Sequence, residues 1–174
     1  MQEVFFNTTT SRAFPALCGD NPRVLILGTF PSPASRQKGE YYGNPRNQFW
    51  RLVFGAVGEP FDNPGYDEKK AVLFANGIAL SDVISECIAD GALDSSLREP
   101  IYNAELPSFI ADAKIPRVMF NGNNAYLFYR RGIGEIPRLV LPSSSPANAT
   151  MRFDEKLRIW RESLSCYSSH DMLL

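Results

Sequence analysis

Leu25-Ile26-Leu27-Gly28-Thr29-Phe30-Pro31-Ser32 is the stretch from which the fold is read. An apolar run ends there in a tight Gly-x-x-Pro turn. A short, nearly continuous apolar run bounded by turn residues is the pattern of a strand buried on both faces. Further on comes Tyr41-Tyr42-Gly43-Asn44-Pro45-Arg46-Asn47-Gln48-Phe49-Trp50, dense in aromatics and asparagines. Together the two segments read as a strand that delivers a loop to the mouth of a pocket for a flat, polar ring. A nucleobase is such a ring.

Outward from this stretch, three more segments read the same way. Strands are predicted over 23–27, 78–80, 117–120 and 138–141, the last two each following a proline and ending in Asn121-Gly122 and Pro142-Ser143. Between them, apolar residues recur at helical spacing over 47–56, 67–76, 104–113, 123–131 and 152–163, the last with Phe153, Leu157 and Trp160 on one stripe. Residues 81–88 fit a helix no better than a strand. Short apolar strands alternating with helices predict a three-layer α/β/α sandwich around a short, mainly parallel four-stranded sheet. Residues 1–174 read as one domain. Ligands of such sheets sit beyond the carboxyl ends of the strands. Those ends are the turn 28–32, the segment near Ser81 and Asp82, Asn121-Gly122-Asn123, and Pro142-Ser143-Ser144-Ser145-Pro146.

Composition narrows the function. Hydrophobic content of 44% and charged content of 21% fit a globular chain, and no apolar run approaches membrane-spanning length. Met1-Gln2-Glu3-Val4-Phe5-Phe6 lacks the basic start of a signal peptide. Cys18, Cys87 and Cys166 are widely separated, and His170 is the single histidine. They predict reduced thiols in a cytoplasmic protein and neither zinc nor an iron–sulfur cluster. A net charge of −1 argues against a non-specific DNA coat, whose affinity rests on many phosphate contacts. It leaves room for an enzyme touching a few phosphates through Arg36 and Lys38, Arg46 and Arg51, or Arg130 and Arg131.

The candidate site residues follow from chemistry. Phe49 and Trp50 read as helix core, whereas Tyr42 stands outside the helix, where its ring can stack on a base. Asn47, at the helix start, either caps it or holds a water or base edge, since an amide both donates and accepts. Ser143, Ser144 and Ser145 form either a capped surface loop or a phosphate-binding turn. A nucleophilic serine is disfavoured: no G-x-S-x-G elbow occurs and the histidine lies in a polar tail. Dinucleotide and Walker-type glycine patterns are absent as well.

In their order along the chain, the turn 28–32, the segment 41–50, Gly77-Ile78-Ala79-Leu80-Ser81-Asp82-Val83, Phe120-Asn121-Gly122 and Leu141-Pro142-Ser143-Ser144-Ser145-Pro146-Ala147-Asn148 resemble the uracil-DNA glycosylase superfamily. Within it, the chain is similar to the hypoxanthine (deoxyinosine) DNA glycosylase branch. The resemblance implies a base-flipping, monofunctional enzyme of base excision repair. It would hydrolyse the N-glycosidic bond of a deaminated base, hypoxanthine first, then uracil or xanthine. It implies no metal or organic cofactor, DNA as partner, and action as a monomer at the nucleoid. The turn 28–32 resembles the water-activating loop, with Phe30 at a base-binding position where relatives carry aspartate or asparagine. Asn47 is then the expected catalytic amide and Tyr42 the stacking aromatic. Ser81 and Asn121 are expected at the base edge, and Ser143, Ser144, Ser145 and Asn148 at the DNA. Two alternatives remain: a non-catalytic nucleic-acid-binding module on the same fold, and a hydrolase of free nucleosides or nucleotides.

Overall fold

The computed structural model describes residues 10–89 and 97–165. The segment 1–6, Cys166 and His170 lie outside the described residues. Along the chain run β1 (Thr10–Arg12), β2 (Val24–Gly28), α1 (Pro33–Lys38), α2 (Phe49–Val57), α3 (Tyr66–Ala75), β3 (Ile78–Asp82), β4 (Ile84–Ala89), β5 (Leu97–Tyr102), α4 (Leu106–Asp112), β6 (Val118–Asn121), α5 (Asn123–Gly132), β7 (Val140–Leu141) and α6 (Phe153–Ser165). Among the described residues, no helix is long and apolar enough to cross a membrane.

Four strands form one sheet in the order β3-β2-β6-β7, each pair parallel. β2 is central and buried along its whole length. Successive side chains of a strand point to opposite faces, and β2 divides accordingly. Val24 and Ile26 join a core with Leu52, Val53 and Phe54 of α2, Leu73 of α3 and Trp160 of α6. Leu25 and Leu27 join a second core with Leu106 of α4 and Ala125, Tyr126 and Tyr129 of α5. The result is the α/β/α sandwich the sequence predicts.

The expected elements recur with small shifts; the last strand shortens from 138–141 to Val140–Leu141 and the helix expected over 104–113 to Leu106–Asp112. Residues 81–88 are strand on either side of a bend at Val83. Ser81 and Asp82 complete β3, and β4 then starts a second, antiparallel sheet of order β1-β4-β5. That sheet was hidden for a physical reason. The β4–β5 register slips twice, and such irregularities erase the period-two alternation by which a strand is read. Its edge strand β5 also carries Pro100, which breaks the strand pattern further. Helix α1 is likewise new, capped by the Ser32 hydroxyl, which accepts from the Ser35 N–H at 3.2 Å.

Trp160 ties the back of the sandwich to the front. It is fully buried, packs edge-on against Phe49 at 5.6 Å, and donates its indole N–H to the Pro142 carbonyl at 2.9 Å. Trp160→Ala removes both contacts and leaves a cavity, so it should lower the free energy of unfolding by about 3–5 kcal/mol. A denaturant titration of the two proteins checks this.

Candidate active site

A cleft of about 1130 Å³ opens at the carboxyl edge of the parallel sheet. Its walls come from the turn after β2, the segment 41–47, the end of β3, the β6–α5 junction and the loop 140–148. Of the residues singled out in the sequence, Phe30, Tyr42, Asn47, Asn121, Ser143, Ser144, Ser145 and Asn148 all line this one cleft. Ser81 does not. It is buried, only 3% exposed.

The next residue takes its place. Asp82 lines the cleft, is only 4% exposed, and lies in register with Gly28 across the β2–β3 ladder. A Cβ added to Gly28 would fall 2.4 Å from Asp82 Oδ1 and 3.0 Å from the Tyr42 hydroxyl oxygen. Carboxylate and phenol therefore converge over the one residue of β2 that has no side chain. Of the two neighbours at the strand end picked out in the sequence, Asp82 and not Ser81 faces the cleft.

Tyr42 is held by a local fold of some cost. Its φ is +53°, a left-handed conformation uncommon for a residue with a side chain. Its neighbours are pinned: the Gly43 N–H donates to Ser35 Oγ at 3.0 Å, and Trp50 Nε1 donates to the Tyr41 carbonyl at 3.0 Å. The Tyr42 ring lies parallel to Phe49, 3.7 Å between centroids and 11° between planes. Phe49 thus backs one face of the ring. Tyr41 points inward: burial, and next the charge of Asp82, push its phenol well above the ordinary range, so it stays protonated.

Asn47 sits just ahead of α2. Its Oδ1 accepts the Phe49 N–H at 2.9 Å, one of the orphan donors of a helix start. That bond fixes which end of the amide is which. The oxygen is tied to the helix, and the NH₂ group is the end that offers two further donors. Phe30 is half-buried on the neighbouring wall, with the Arg36 guanidinium 5.5 Å from its ring centre. Arg36 also donates to the Pro31 carbonyl at 2.7 Å, which fixes the turn.

The serine loop is built largely from bonds to itself. The Ser145 N–H donates to Ser143 Oγ at 3.2 Å, and the Ala147 N–H to Ser145 Oγ at 3.3 Å. Ser144 is fully buried and pairs reciprocally with Asn121: the amide NH₂ donates to Ser144 Oγ at 2.8 Å, and the Ser144 N–H donates to Asn121 Oδ1 at 2.9 Å. Asn121 and Ser144 thus act as a staple between β6 and the loop. Gly122, at φ +95°, makes room: a Cβ there would come 2.9 Å from Ser143 Cβ. Ser143 and Ser145 stay half-buried, their hydroxyl hydrogens available at the cleft, and Asn148 steadies the loop by donating to the Ser143 carbonyl at 3.4 Å. Arg46 and Arg138 are exposed on the walls and supply the positive charge. No group of three or more His, Cys, Asp or Glu able to hold a metal ion occurs among the described residues.

A parallel four-stranded sheet with this cleft at its carboxyl edge defines a class, and comparison with known proteins agrees. The profile of the uracil DNA glycosylase superfamily matches residues 15–163, and the chain belongs to that superfamily. Its curated relatives are more particular. It is 40% identical over 141 residues to the hypoxanthine DNA glycosylase of Methanosarcina acetivorans, covering 79% of this chain and 87% of that protein. It is 33% identical, over the same length and shares, to the hypoxanthine DNA glycosylase of Methanosarcina barkeri. The solution NMR structure of a candidate uracil DNA glycosylase from Methanosarcina acetivorans superposes with a TM-score of 0.69 at 34% identity, covering 90% of this chain and 99% of that one.

Gly28→Ala tests the floor of the cleft. The added methyl must displace Asp82 or Tyr42, and misplacing a reacting group by about an ångström costs roughly 10²-fold in rate. Base release from damaged DNA should fall by about that factor, with the melting temperature and circular dichroism showing a folded protein.

Proposed function

We propose that the chain is a DNA glycosylase that flips a deaminated base out of DNA and hydrolyses its N-glycosidic bond, hypoxanthine being the preferred base. The observation that carries this reading is the meeting of the Tyr42 ring, the Asn47 amide and the buried Asp82 carboxylate in one cleft of a superfamily member. Its curated relatives named as hypoxanthine DNA glycosylases support the choice of base.

The roles follow from the geometry. A flipped base stacks on the face of Tyr42 opposite Phe49, extending an existing stack of two rings, a contact worth about 1–3 kcal/mol. Asp82 reads the edge. Hypoxanthine and uracil carry a ring N–H where adenine and cytosine carry a bare ring nitrogen. A carboxylate oxygen accepts, so it bonds the ring N–H of hypoxanthine or uracil and disfavours the bare ring nitrogen of adenine or cytosine. As the bond breaks, the sugar gains oxocarbenium character and the base leaves as an anion. The Asn47 NH₂ donates to that developing negative charge on the base, a preorganised donor of the kind that lowers such barriers most. Phe30 offers no hydrogen bond, so its wall excludes solvent and shapes the pocket. Asn121 positions the serine loop through Ser144, and the Ser143 and Ser145 hydroxyls with Asn148 meet the DNA backbone. The reaction consumes water and yields free base and an abasic site. The working form is a monomer, one domain over residues 1–174, acting in the cytoplasm at the nucleoid.

Duplexes carrying a single inosine, uracil or xanthine, treated with enzyme and then alkali, test the reading. Strand cleavage is expected, strongest at inosine. Binding with no cleavage on any of them would leave only a non-catalytic DNA-binding module, and release from free nucleoside alone would leave a small-molecule hydrolase. Asn47→Ala should lower single-turnover base release by about 10²–10³-fold, the usual cost of losing one preorganised donor. Asp82→Asn gives the edge a donor as well as an acceptor. It should slow hypoxanthine release by about tenfold or more and narrow the margin over adenine, because a site built around one hydrogen bond loses discrimination with it.

A further inference from the structure

Lys156 carries a charge that nothing assigned so far uses. It lies on α6 and is 1% exposed, among the most deeply buried side chains of the protein. No carboxylate among the described residues pairs with it. Its ammonium donates instead to two neutral oxygens: the Asn148 carbonyl at 2.8 Å and the Gln48 side-chain carbonyl at 3.1 Å. Burial alone lowers its pKa, with no anion to offset the effect. Several kcal/mol of desolvation go with a buried ion, and an apolar side chain of the same volume commonly serves stability as well or better. A charge kept under those terms points to a geometric duty.

The partners say what the duty is. Gln48 is the residue after Asn47, and Asn148 ends the serine loop. A backbone bond already joins the two segments, the Gln48 N–H donating to the Ser144 carbonyl at 3.0 Å. Lys156 adds a second tie, set back from the cleft, from a third element. Charge-assisted bonds are shorter and stronger than neutral ones. The ammonium thus fixes the separation of the wall that bears Asn47 from the wall that meets the DNA backbone.

We infer that Lys156 is a positioning residue of the base-release reaction: by holding Gln48 and Asn148 together, it sets Asn47 against the flipped nucleotide. This rests on the glycosylase reading above. Its signature is a loss in the chemical step with DNA affinity kept, since Lys156 touches no part of the substrate.

The test compares wild-type protein with Lys156→Met, Gln48→Met and the double variant. Each is assayed in single turnover on an inosine duplex, with enzyme in saturating excess, well below its own melting temperature. Binding is measured separately on a duplex holding a stable abasic-site analogue. Lys156→Met should slow base release by about tenfold or more while the dissociation constant moves by less than about threefold, the pattern of an interaction lost in the transition state alone. Gln48→Met should slow release in the same sense. The double variant should be about as slow as Lys156→Met, because two residues acting through one bond are not additive. Rates for both single variants within about twofold of wild type, or losses that multiply in the double variant, would overturn the inference. So would a loss found in binding alone. Should Lys156→Met not fold, Gln48→Met decides, and a wild-type rate from it is fatal. Absence of base release from the wild-type protein would instead sink the glycosylase reading itself.

Discussion

Everything functional in this protein hangs from a strand that has no polar side chain to offer. β2 is covered on both faces from Val24 to Gly28, with Leu25, Ile26 and Leu27 wholly inaccessible. Its backbone groups must find partners within the sheet, and they do, in β3 on one side and β6 on the other. A strand so enclosed can meet solvent only at its ends. The chain leaves its carboxyl end through a residue without a side chain, and around that vacancy Asp82 and Tyr42 come together. The cleft is the place where the burial of β2 stops.

Around that floor, the walls are joined by hydrogen bonds between backbone and side-chain amides and hydroxyls, with few ion pairs. Asn121 with Ser144 links β6 to the serine loop; Gln48 with Ser144 links that loop to the start of α2. Ion pairs among the described residues are largely solvent-exposed, such as Arg158 with Glu162, and pairs of that kind add little. The division is sensible chemistry for a DNA-binding cleft. Fixed dipoles and the buried Lys156 ammonium, all shielded from solvent, hold its shape with little sensitivity to salt, while Arg46 and Arg138 stand exposed on its walls.

The sequence carried the parallel sheet, its helices and most of the residues that line the cleft because each rests on a local pattern: a bounded apolar run, a helical stripe, a turn rich in small polar residues. It failed where the pattern was ambiguous in phase. β3 is buried at every position, so no alternation distinguishes Ser81 from Asp82, and one step along a strand sends a side chain to the opposite face. The antiparallel sheet escaped because β4 and β5 pair through an irregular register. Lys156 drew no notice in the sequence because a lysine is expected at the surface, though it falls on the stripe between Phe153 and Trp160 that marks the inward face of α6. Asn47 was legible as either a cap or a functional amide; it stands one residue before the Gln48 N-cap, its oxygen takes the Phe49 N–H, and the residue lines the cleft.

The order β3-β2-β6-β7 bears on when the protein becomes an enzyme at all. Gly28, Asp82, Asn121 and Ser144 come from four well-separated parts of the chain, and only parallel pairings between distant strands bring them together. Such non-local pairings form late in folding. A partly folded or truncated chain therefore has pieces of the cleft and no complete one. For a protein whose product is a break in the coding information of DNA, that is a built-in safeguard: the capacity to make abasic sites arises only with the finished fold.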